Sequence, residues 1–344
     1  MRGRIVLAMS CVMVSVAGPV AADGFTGPVF GLATAPNGDL LAADAAVGIV
    51  EVRDGQVRLN AAFPSVQNLS PIGRGSWWAV QGGIDGLQGT DVGQGVFRVS
   101  RGRVHKLANL FEFEEANNPA PPYDAPESNP FDVLSLSGEL ALVVDAAGND
   151  LLRVDDEGGV DVVAWFPAEL VPTANLKALL GCPGSGAGPC FAPDMLPAQP
   201  VPTSVAVGPD GYYYVGELKG FPAPQNESRI WRIAPWASWA ECGADPDCEL
   251  LFDGGFTSII DMAFGPDGLL YVVELDENSW FATILPWQPL AGGTISACDV
   301  SALGCVEVAG GLILPTAITF GKDGKLWSTE FGAIPGQATV VEIP

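Results

Sequence analysis

Apolar residues along this chain follow one short pattern that occurs six times. Each copy has an apolar strand, a tight turn containing glycine, a second apolar strand, and an acidic or amide residue at its end. The copies are LATAPNGDLLAAD (32–44), IGRGSWWAVQ (72–81), VLSLSGELALVVD (133–145), VAVGPDGYYYVGE (205–217), MAFGPDGLLYVVE (262–274) and ITFGKDGKLWSTE (318–330). A single hairpin cannot bury its apolar face, so the copies must pack on one another to form a core.

Further short strands are predicted after each hairpin. The third strands are expected at 48–52, 95–99, 150–154, 229–233, 293–296 and 339–343. The fourth strands of the first five copies are expected at 57–63, 103–110, 160–166, 249–252 and 306–309. Turns such as Asn37-Gly38 are typical of hairpins, because glycine accepts a positive φ and the Asn side chain bonds back to the backbone. Four antiparallel strands in each of six units predict an all-β, six-bladed β-propeller.

The sixth unit ends at Pro344, directly after its third strand. We expect the N-terminal segment, near residues 25–29, to supply the missing outer strand and close the ring. Closure of this kind removes open sheet edges, which otherwise favour aggregation. Residues 23–344 are therefore predicted to form a single propeller domain.

The first 22 residues have the composition of a secretory signal peptide. Arg2 and Arg4 precede an apolar run at 5–17, and small residues precede Asp23. This run is too short to span a membrane. We predict cleavage after about Ala22, no transmembrane segment, and a secreted or periplasmic mature chain that is a monomer. Lipidation at Cys11 is the less favoured alternative.

The six remaining cysteines fall as close couples in the sequence. An even number, short spacing and export favour disulfides over a metal site. The predicted pairs are Cys182–Cys190, Cys242–Cys248 and Cys298–Cys305.

The formal charge is −24, and removal of Arg2 and Arg4 brings it to −26. Nucleic acid and anionic membranes are therefore poor partners, because both require clustered cations, and we expect no binding of nucleic acid. A chain of this charge attracts cations. The alternative is that the negative charge only keeps the protein soluble.

Acidic and amide side chains recur at the end of the second strand, and a closed ring would bring them to one face. They are Asp44, Gln81, Asp145, Glu217, Glu274 and Glu330, to which Asp132 and Asp261 near the first-strand starts add two more. No lysine or arginine shares these repeat positions. Converging carboxylates need water, protons or a cation, and calcium suits an oxygen-rich site. The alternatives are that each residue caps its own loop through backbone N–H groups, or that one of the carboxylates is catalytic.

Aromatic residues in the loops form a second candidate site for a sugar, a pigment or another apolar ligand. They are Phe221, Trp236, Trp239, Trp280, Phe281 and Trp287. The alternative is a local core that covers the ring. His105, the single histidine, lies on a predicted outer strand and offers little for nucleophilic catalysis.

The GPDG turn followed by LYVVE or YYYVGE, together with the strand RIWRI, resembles the ScyD/ScyE family of exported, NHL-like propeller proteins. The resemblance covers the mature chain and is strongest at 202–217, 260–274 and 315–330. The second unit departs from it, with Gly73-Arg74-Gly75 in place of the Asp-Gly turn. The resemblance implies an exported propeller but supplies no reaction.

Two functions fit the sequence. The first is a non-catalytic binding or scaffold propeller for an unknown small molecule or protein, with calcium as an optional ligand of the acidic mouth and no other cofactor. The alternative is a calcium-dependent, lactonase-like hydrolase, in which the cation polarises the substrate and a carboxylate acts as base. A quinone-dependent sugar dehydrogenase ranks third, because that chemistry commonly uses a histidine base.

Overall fold

Six four-stranded antiparallel sheets surround a central channel in the computed structural model, which describes residues 20–53, 55–73, 75–82, 93–120, 126–185 and 188–344. The predicted six-bladed β-propeller is confirmed. Residues 1–19 of the predicted signal peptide lie outside the described residues.

Each blade runs outward from the channel in chain order. Blade 1 contains Val29–Thr34, Leu40–Asp44, Gly48–Arg53 and Gln56–Ala62. Blade 2 contains Val66–Gly73, Ser76–Gln81, Gly95–Ser100 and Arg103–Asn109. Blade 3 contains Pro130–Ser135, Leu140–Asp145, Asp150–Asp155 and Val160–Trp165, with Ala240–Glu241 added in parallel at its outer edge. Blade 4 contains Pro202–Val207, Tyr213–Glu217, Ser228–Ile233 and Cys248–Phe256. Blade 5 contains Ile259–Phe264, Leu270–Glu274, Gly293–Asp299 and Gly304–Leu312.

Blade 6 joins the two ends of the chain. It contains Ile318–Phe320, Leu326–Glu330 and Thr339–Ile343, and its outer strand is Val20–Ala22, paired antiparallel with Thr339–Ile343. The N-terminal segment therefore completes the last blade, but residues 25–29 do not form that strand. Val29 instead pairs with Asp44 as the first residue of blade 1, and Phe25 packs in the apolar cluster between blades 6 and 1. Cleavage after Ala22 would remove the outer strand of blade 6.

The apolar faces of the hairpins pack between blades. Five apolar clusters are each shared by two neighbouring blades, as when Leu142 of blade 3 meets Val215 of blade 4. The sixth cluster joins blades 5 and 6 and also includes Phe131 of blade 3. The first strand of every blade contacts the first strands on both sides, and blade 6 contacts blade 1. Each fully buried aliphatic side chain contributes about 1.5–3 kcal/mol, so closure supplies the burial that one hairpin lacks.

The fourth strands of blades 4 and 5 are longer than predicted, because glycines let the chain continue through a bulge. Gly254 and Gly311 have φ values of +86° and +72°, a backbone conformation that glycine adopts without strain. In blade 2, Gly73 pairs with Ser76, so the turn lies where the sequence placed it.

Several short elements lie in the connections. They are the helices Leu110–Asn117, Ala174–Leu179 and Trp280–Thr283, the 3-10 turn Gly188–Phe191, and a hairpin of Glu169–Pro172 with Met195–Ala198. Over the described residues, none of the helices has the length and apolar character that a membrane span requires.

The three predicted disulfides are confirmed: Cys182–Cys190, Cys242–Cys248 and Cys298–Cys305. The last joins directly opposed residues of blade 5. Disulfides persist in oxidising compartments, which agrees with a location outside the cytoplasm.

Candidate functional site

The six second-strand residues occupy equivalent positions at one edge of the ring. In five blades the residue pairs with the first residue of the first strand, as Asp44 does with Val29 and Glu274 with Ile259. Glu330 occupies the same place at the end of the second strand of blade 6, opposite Thr339. The repeat thus positions these side chains as the sequence predicted.

The hydrogen bonds of these side chains run mostly to the segment that leads into their own blade. Asp44 accepts the N–H groups of Thr26 at 2.7 Å and Gly27 at 2.8 Å. Gln81 donates from Nε2 to the Pro64 carbonyl at 2.8 Å. Each bond ties the end of a second strand to the chain approaching the first strand.

Blades 3, 5 and 6 repeat this arrangement. Asp145 accepts the N–H of Asn129 at 2.6 Å, Glu274 accepts that of Thr257 at 2.5 Å, and Glu330 accepts that of Ile313 at 3.2 Å. Backbone donors of the loops therefore take up carboxylate oxygens that a shared cation would need.

Glu217 of blade 4 has different partners. Its Oε1 accepts the indole N–H of Trp231 and its Oε2 accepts Lys219 Nζ, both at 2.5 Å. Lys219 is fully buried, and its Nζ also lies 2.7 Å from Glu169 Oε2. Glu169 in turn forms an ion pair with Arg229. The repeat positions at this edge of the ring contain no lysine or arginine in the sequence, whereas the structure places Lys219 there.

A buried group of carboxyls surrounds Asp145. Glu114, from the helix between blades 2 and 3, and Asp150, at the start of the third strand, are 1% and 0% exposed. Burial, followed by the charge of Asp145, raises the pKa of Glu114 to about 8. Burial, followed by the charges of Glu114 and Asp145, raises the pKa of Asp150 well above its usual range.

Neither oxygen of Asp150 has a hydrogen-bond donor among the described residues, and the same holds for Oε1 of Glu114. Burial and the mutual repulsion of the two carboxyls therefore favour the protonated form of each, which lowers the negative charge at this point of the ring.

The channel is lined by the first strands and encloses a volume of 160 Å³. Asp132 and Asp261 both line it, together with the Asn68 side chain. Asp132 accepts the N–H of Val205 in the next blade at 2.9 Å. Asp261 accepts the N–H of Ile318 in the next blade at 2.8 Å.

Burial raises the pKa of both channel carboxyls. The pKa of Asp132 rises to about 6, opposed by its backbone hydrogen bonds. The pKa of Asp261 rises well above its usual range because of burial and then of the charge of Asp132. Across the described part of the chain, no group of three or more His, Cys, Asp or Glu residues has the geometry to hold a metal ion.

Three insertions, residues 167–201, 218–228 and 275–292, contact one another, and we call them the insertion cap. Asn175 Nδ2 donates to the Ala223 carbonyl at 2.8 Å and to Ser279 Oγ at 3.0 Å. Gln288 Nε2 donates to the Leu179 carbonyl at 2.6 Å. These bonds join insertions that follow blade 3 and interrupt blades 4 and 5.

The aromatic residues selected from the sequence divide into two groups. Phe221, Trp280 and Phe281 make edge-to-face ring contacts in the insertion cap, where Trp287 is 63% exposed. Trp236 and Trp239 instead belong to the turn between the third and fourth strands of blade 4, at the other edge of the ring. Trp236 is 65% exposed and stacks edge-on against Tyr212.

Glu114, Asp150 and Lys219 were not among the site residues predicted from the sequence. Glu114 and Lys219 lie in insertions, outside the repeat. Asp150 occupies the first position of the third strand, where blades 1, 2 and 5 have glycine. This difference in the sequence could have identified Asp150 as a candidate site residue.

Solved structures with the same fold are proteins of different functions. A gluconolactonase from Xanthomonas campestris is 12% identical with a TM-score of 0.57, over 94% of this chain and 89% of that one. The calcium-binding protein regucalcin from Agrobacterium tumefaciens is 13% identical with a TM-score of 0.57, over 95% and 94%. An inactive variant of virginiamycin B lyase from Staphylococcus aureus is 16% identical with a TM-score of 0.52, over 95% and 87%.

At these identities the similarity shows the fold alone. No family model matches the sequence, and a search of curated proteins finds no match. Membership of the ScyD/ScyE family stays a prediction.

Proposed function

We propose that this chain is a non-catalytic binding propeller that acts outside the cytoplasm and holds its ligand on the insertion cap. The observation that carries the proposal is the cap itself. Three insertions distant in sequence are tied together by side-chain hydrogen bonds, and they present Phe221 and Trp287 to solvent at 48% and 63% exposure. Loops held on a rigid ring are a common place for binding sites.

The scaffold role of the ring is supported by how its carboxyls are used. Asp44, Asp145, Glu274 and Glu330 accept backbone N–H groups of their own loops. Such bonds stabilise the edge from which the insertions emerge. The three disulfides support action in an oxidising compartment.

The ligand class follows from the exposed side chains of the cap. Indole and phenyl rings bind apolar faces, including the faces of sugar rings. A small molecule with such a face fits the cap better than an anion does, because the chain has a charge of −24.

The test is a titration followed by tryptophan fluorescence, with cellohexaose as the sugar probe and the uncharged dye Nile red as the apolar probe. Trp287→Ala should weaken binding of at least one probe about tenfold, the effect of about 1.4 kcal/mol. Trp236→Ala is the matched control, since Trp236 is 65% exposed but lies at the other edge of the ring. Equal effects of the two substitutions, or binding of neither probe, would reject the insertion cap as the site.

A calcium-dependent, lactonase-like hydrolase is the second candidate. It is favoured by Asp132, whose pKa of about 6 suits a general base near neutral pH, and by Asp261 beside it in the channel. Hydrolysis of δ-gluconolactone in excess calcium, lost in Asp261→Asn, would establish this function. A rate equal to that of the buffer alone would reject it for that substrate.

A further inference from the structure

Basic residues are scarce in this chain but concentrated in one segment. The sequence contains 16 Lys and Arg against 40 Asp and Glu. Residues 98–106, RVSRGRVHK, hold three arginines, one lysine and the only histidine, and no acid. They form the end of the third strand, the turn and the start of the fourth strand in blade 2.

Strand register brings most of these side chains to one face of blade 2. Ser100 pairs with Ser76 on one side and with Arg103 on the other. One row further in, Arg98 pairs with His105. Side chains two residues apart on a strand share a face, so these rows lie on the same surface.

This surface is a groove with a volume of 610 Å³. The residues described as lining it are Ser76, Arg98, Ser100, Arg101, Arg103 and His105, none of them a carboxylate. A volume of this order is typical of small-molecule sites.

The cross-strand pair of Arg98 and His105 differs in charge from the equivalent pairs of blades 3 and 4. At the position of Arg98, blade 4 has Arg232, which lies 2.6 Å from the carboxylate of its cross-strand partner Glu249. In blade 3, Arg153 lies opposite Asp161 in the strand register. Blade 2 therefore shares this arginine with blades 3 and 4 but has His105 where those two blades have an acid.

Donors in the groove are available to a ligand. Arg98 is held in place, because it donates to the Gly138 carbonyl at 2.7 Å and stacks over Trp78. Arg101 and Arg103 are exposed, and neither forms an ion pair with a described residue. Guanidinium groups match carboxylate and sulfate oxygens in a bidentate geometry.

We propose that this groove binds a short anionic oligosaccharide. Arg101 and Arg103 pair with its carboxylate or sulfate groups. The hydroxyls of Ser76 and Ser100, which bond to each other at 2.8 Å, use their remaining donor and acceptor positions for its hydroxyl groups. The ligand is short because a long polyanion would be repelled by the rest of a chain of charge −24. The groove lies at the edge opposite the insertion cap, so this second binding activity goes beyond the proposed function and is independent of it.

The test is calorimetric titration with trigalacturonate at low ionic strength, with maltotriose as the neutral probe. Wild-type protein should bind trigalacturonate and not maltotriose. The double variant Arg101→Ala/Arg103→Ala should bind trigalacturonate at least tenfold more weakly. Binding should also weaken with added salt, as expected for exposed charges.

The matched control is Arg58→Ala/Lys106→Ala, which removes the same charge from other surfaces. Lys106 pairs with Phe97 and neighbours His105, so it points to the opposite face of the strand. This control should keep wild-type affinity, and melting temperatures of both variants should show that they fold. The proposal is overturned if the two double variants bind alike, if trigalacturonate does not bind, or if a short DNA duplex binds more tightly.

Discussion

Asp132 of blade 3 accepts the backbone N–H of Val205 in blade 4 at 2.9 Å through Oδ2, while its Oδ1 accepts the N–H of Val133 at 2.7 Å. Asp261 makes the corresponding link from blade 5 to blade 6, through Ile318. Both channel carboxyls therefore join neighbouring blades. Their position on the channel wall follows from a bulge near the start of each first strand.

Removal of the Asp132 carboxyl should destabilise the propeller. Asp132→Ala leaves the N–H of Val205 without its acceptor, and an unsatisfied buried donor costs about 1–3 kcal/mol. Asp132→Asn keeps an acceptor oxygen and should cost less. Urea unfolding of both variants gives the comparison, with Asp156→Ala on the exposed surface as the control. Equal stability of Asp132→Ala and wild type would contradict the role of Asp132 as a link between blades.

Stability should fall as pH rises from about 5 to about 8. The pKa of Glu114 is about 8 in the fold against its usual 4.5. Folding therefore favours the protonated form, and its contribution is complete below the unfolded pKa and is lost as pH rises through the folded pKa. The pKa of Glu274, also about 8, acts in the same direction. One pKa unit corresponds to about 1.4 kcal/mol.

Urea unfolding at a series of pH values measures this dependence. Glu114→Gln, which is neutral at every pH, should flatten the decline, whereas Glu115→Gln, its exposed neighbour, should leave it unchanged. A wild-type protein that becomes more stable from pH 5 to pH 8 would show that Glu114 is ionised in the fold.

Substitution of the buried Lys219 should lower the free energy of unfolding more than substitution of an exposed lysine does. Lys219→Met leaves Glu217, which is 0% exposed, without its cation, and breaking a buried pair costs about 3–5 kcal/mol. Glu217→Gln in the same chain removes the stranded charge and should restore part of the loss. Lys177→Met, which breaks the more exposed pair with Asp194, should cost less than about 1 kcal/mol. The measurement is the free energy of unfolding, and similar losses for the two lysine substitutions would refute the buried pair.

The sequence predicted those features that the repeat encodes. Strand pairing at Asp44 and Glu274 follows from counting along each hairpin, and the cysteine couples pair because their short spacing leaves few geometries. Long-range partners were not predictable in this way. Lys219 and Glu169 are separated by 50 residues and meet only because two insertions pack together. The outer strand of blade 6 was assigned to residues 25–29, since the small residues at 20–22 also fit a cleavage site.

The spacing of the acidic residues along the sequence could not determine whether their carboxylates point to one centre. Equivalent positions bring Asp44 and Asp145 to one edge of the ring, but the orientation of each carboxylate depends on loops of different length. Those loops supply backbone donors, as Gly27 does for Asp44 and Gly148 does for Asp145. The sequence repeat gives the position of each acidic residue along its strand, but it does not identify the backbone groups that donate to it.

The central claim is that the carboxyls at the edge and channel of the ring serve the fold and do not hold a shared cation. The melting temperature of the protein in excess EDTA, compared with that in excess calcium, tests it most directly. We expect the two values to agree within about 1 °C, because a cation that binds the folded state tightly would stabilise it by several kcal/mol and raise the melting temperature by several degrees. A rise of that size with calcium, abolished by Asp261→Asn, would contradict the claim and favour the hydrolase.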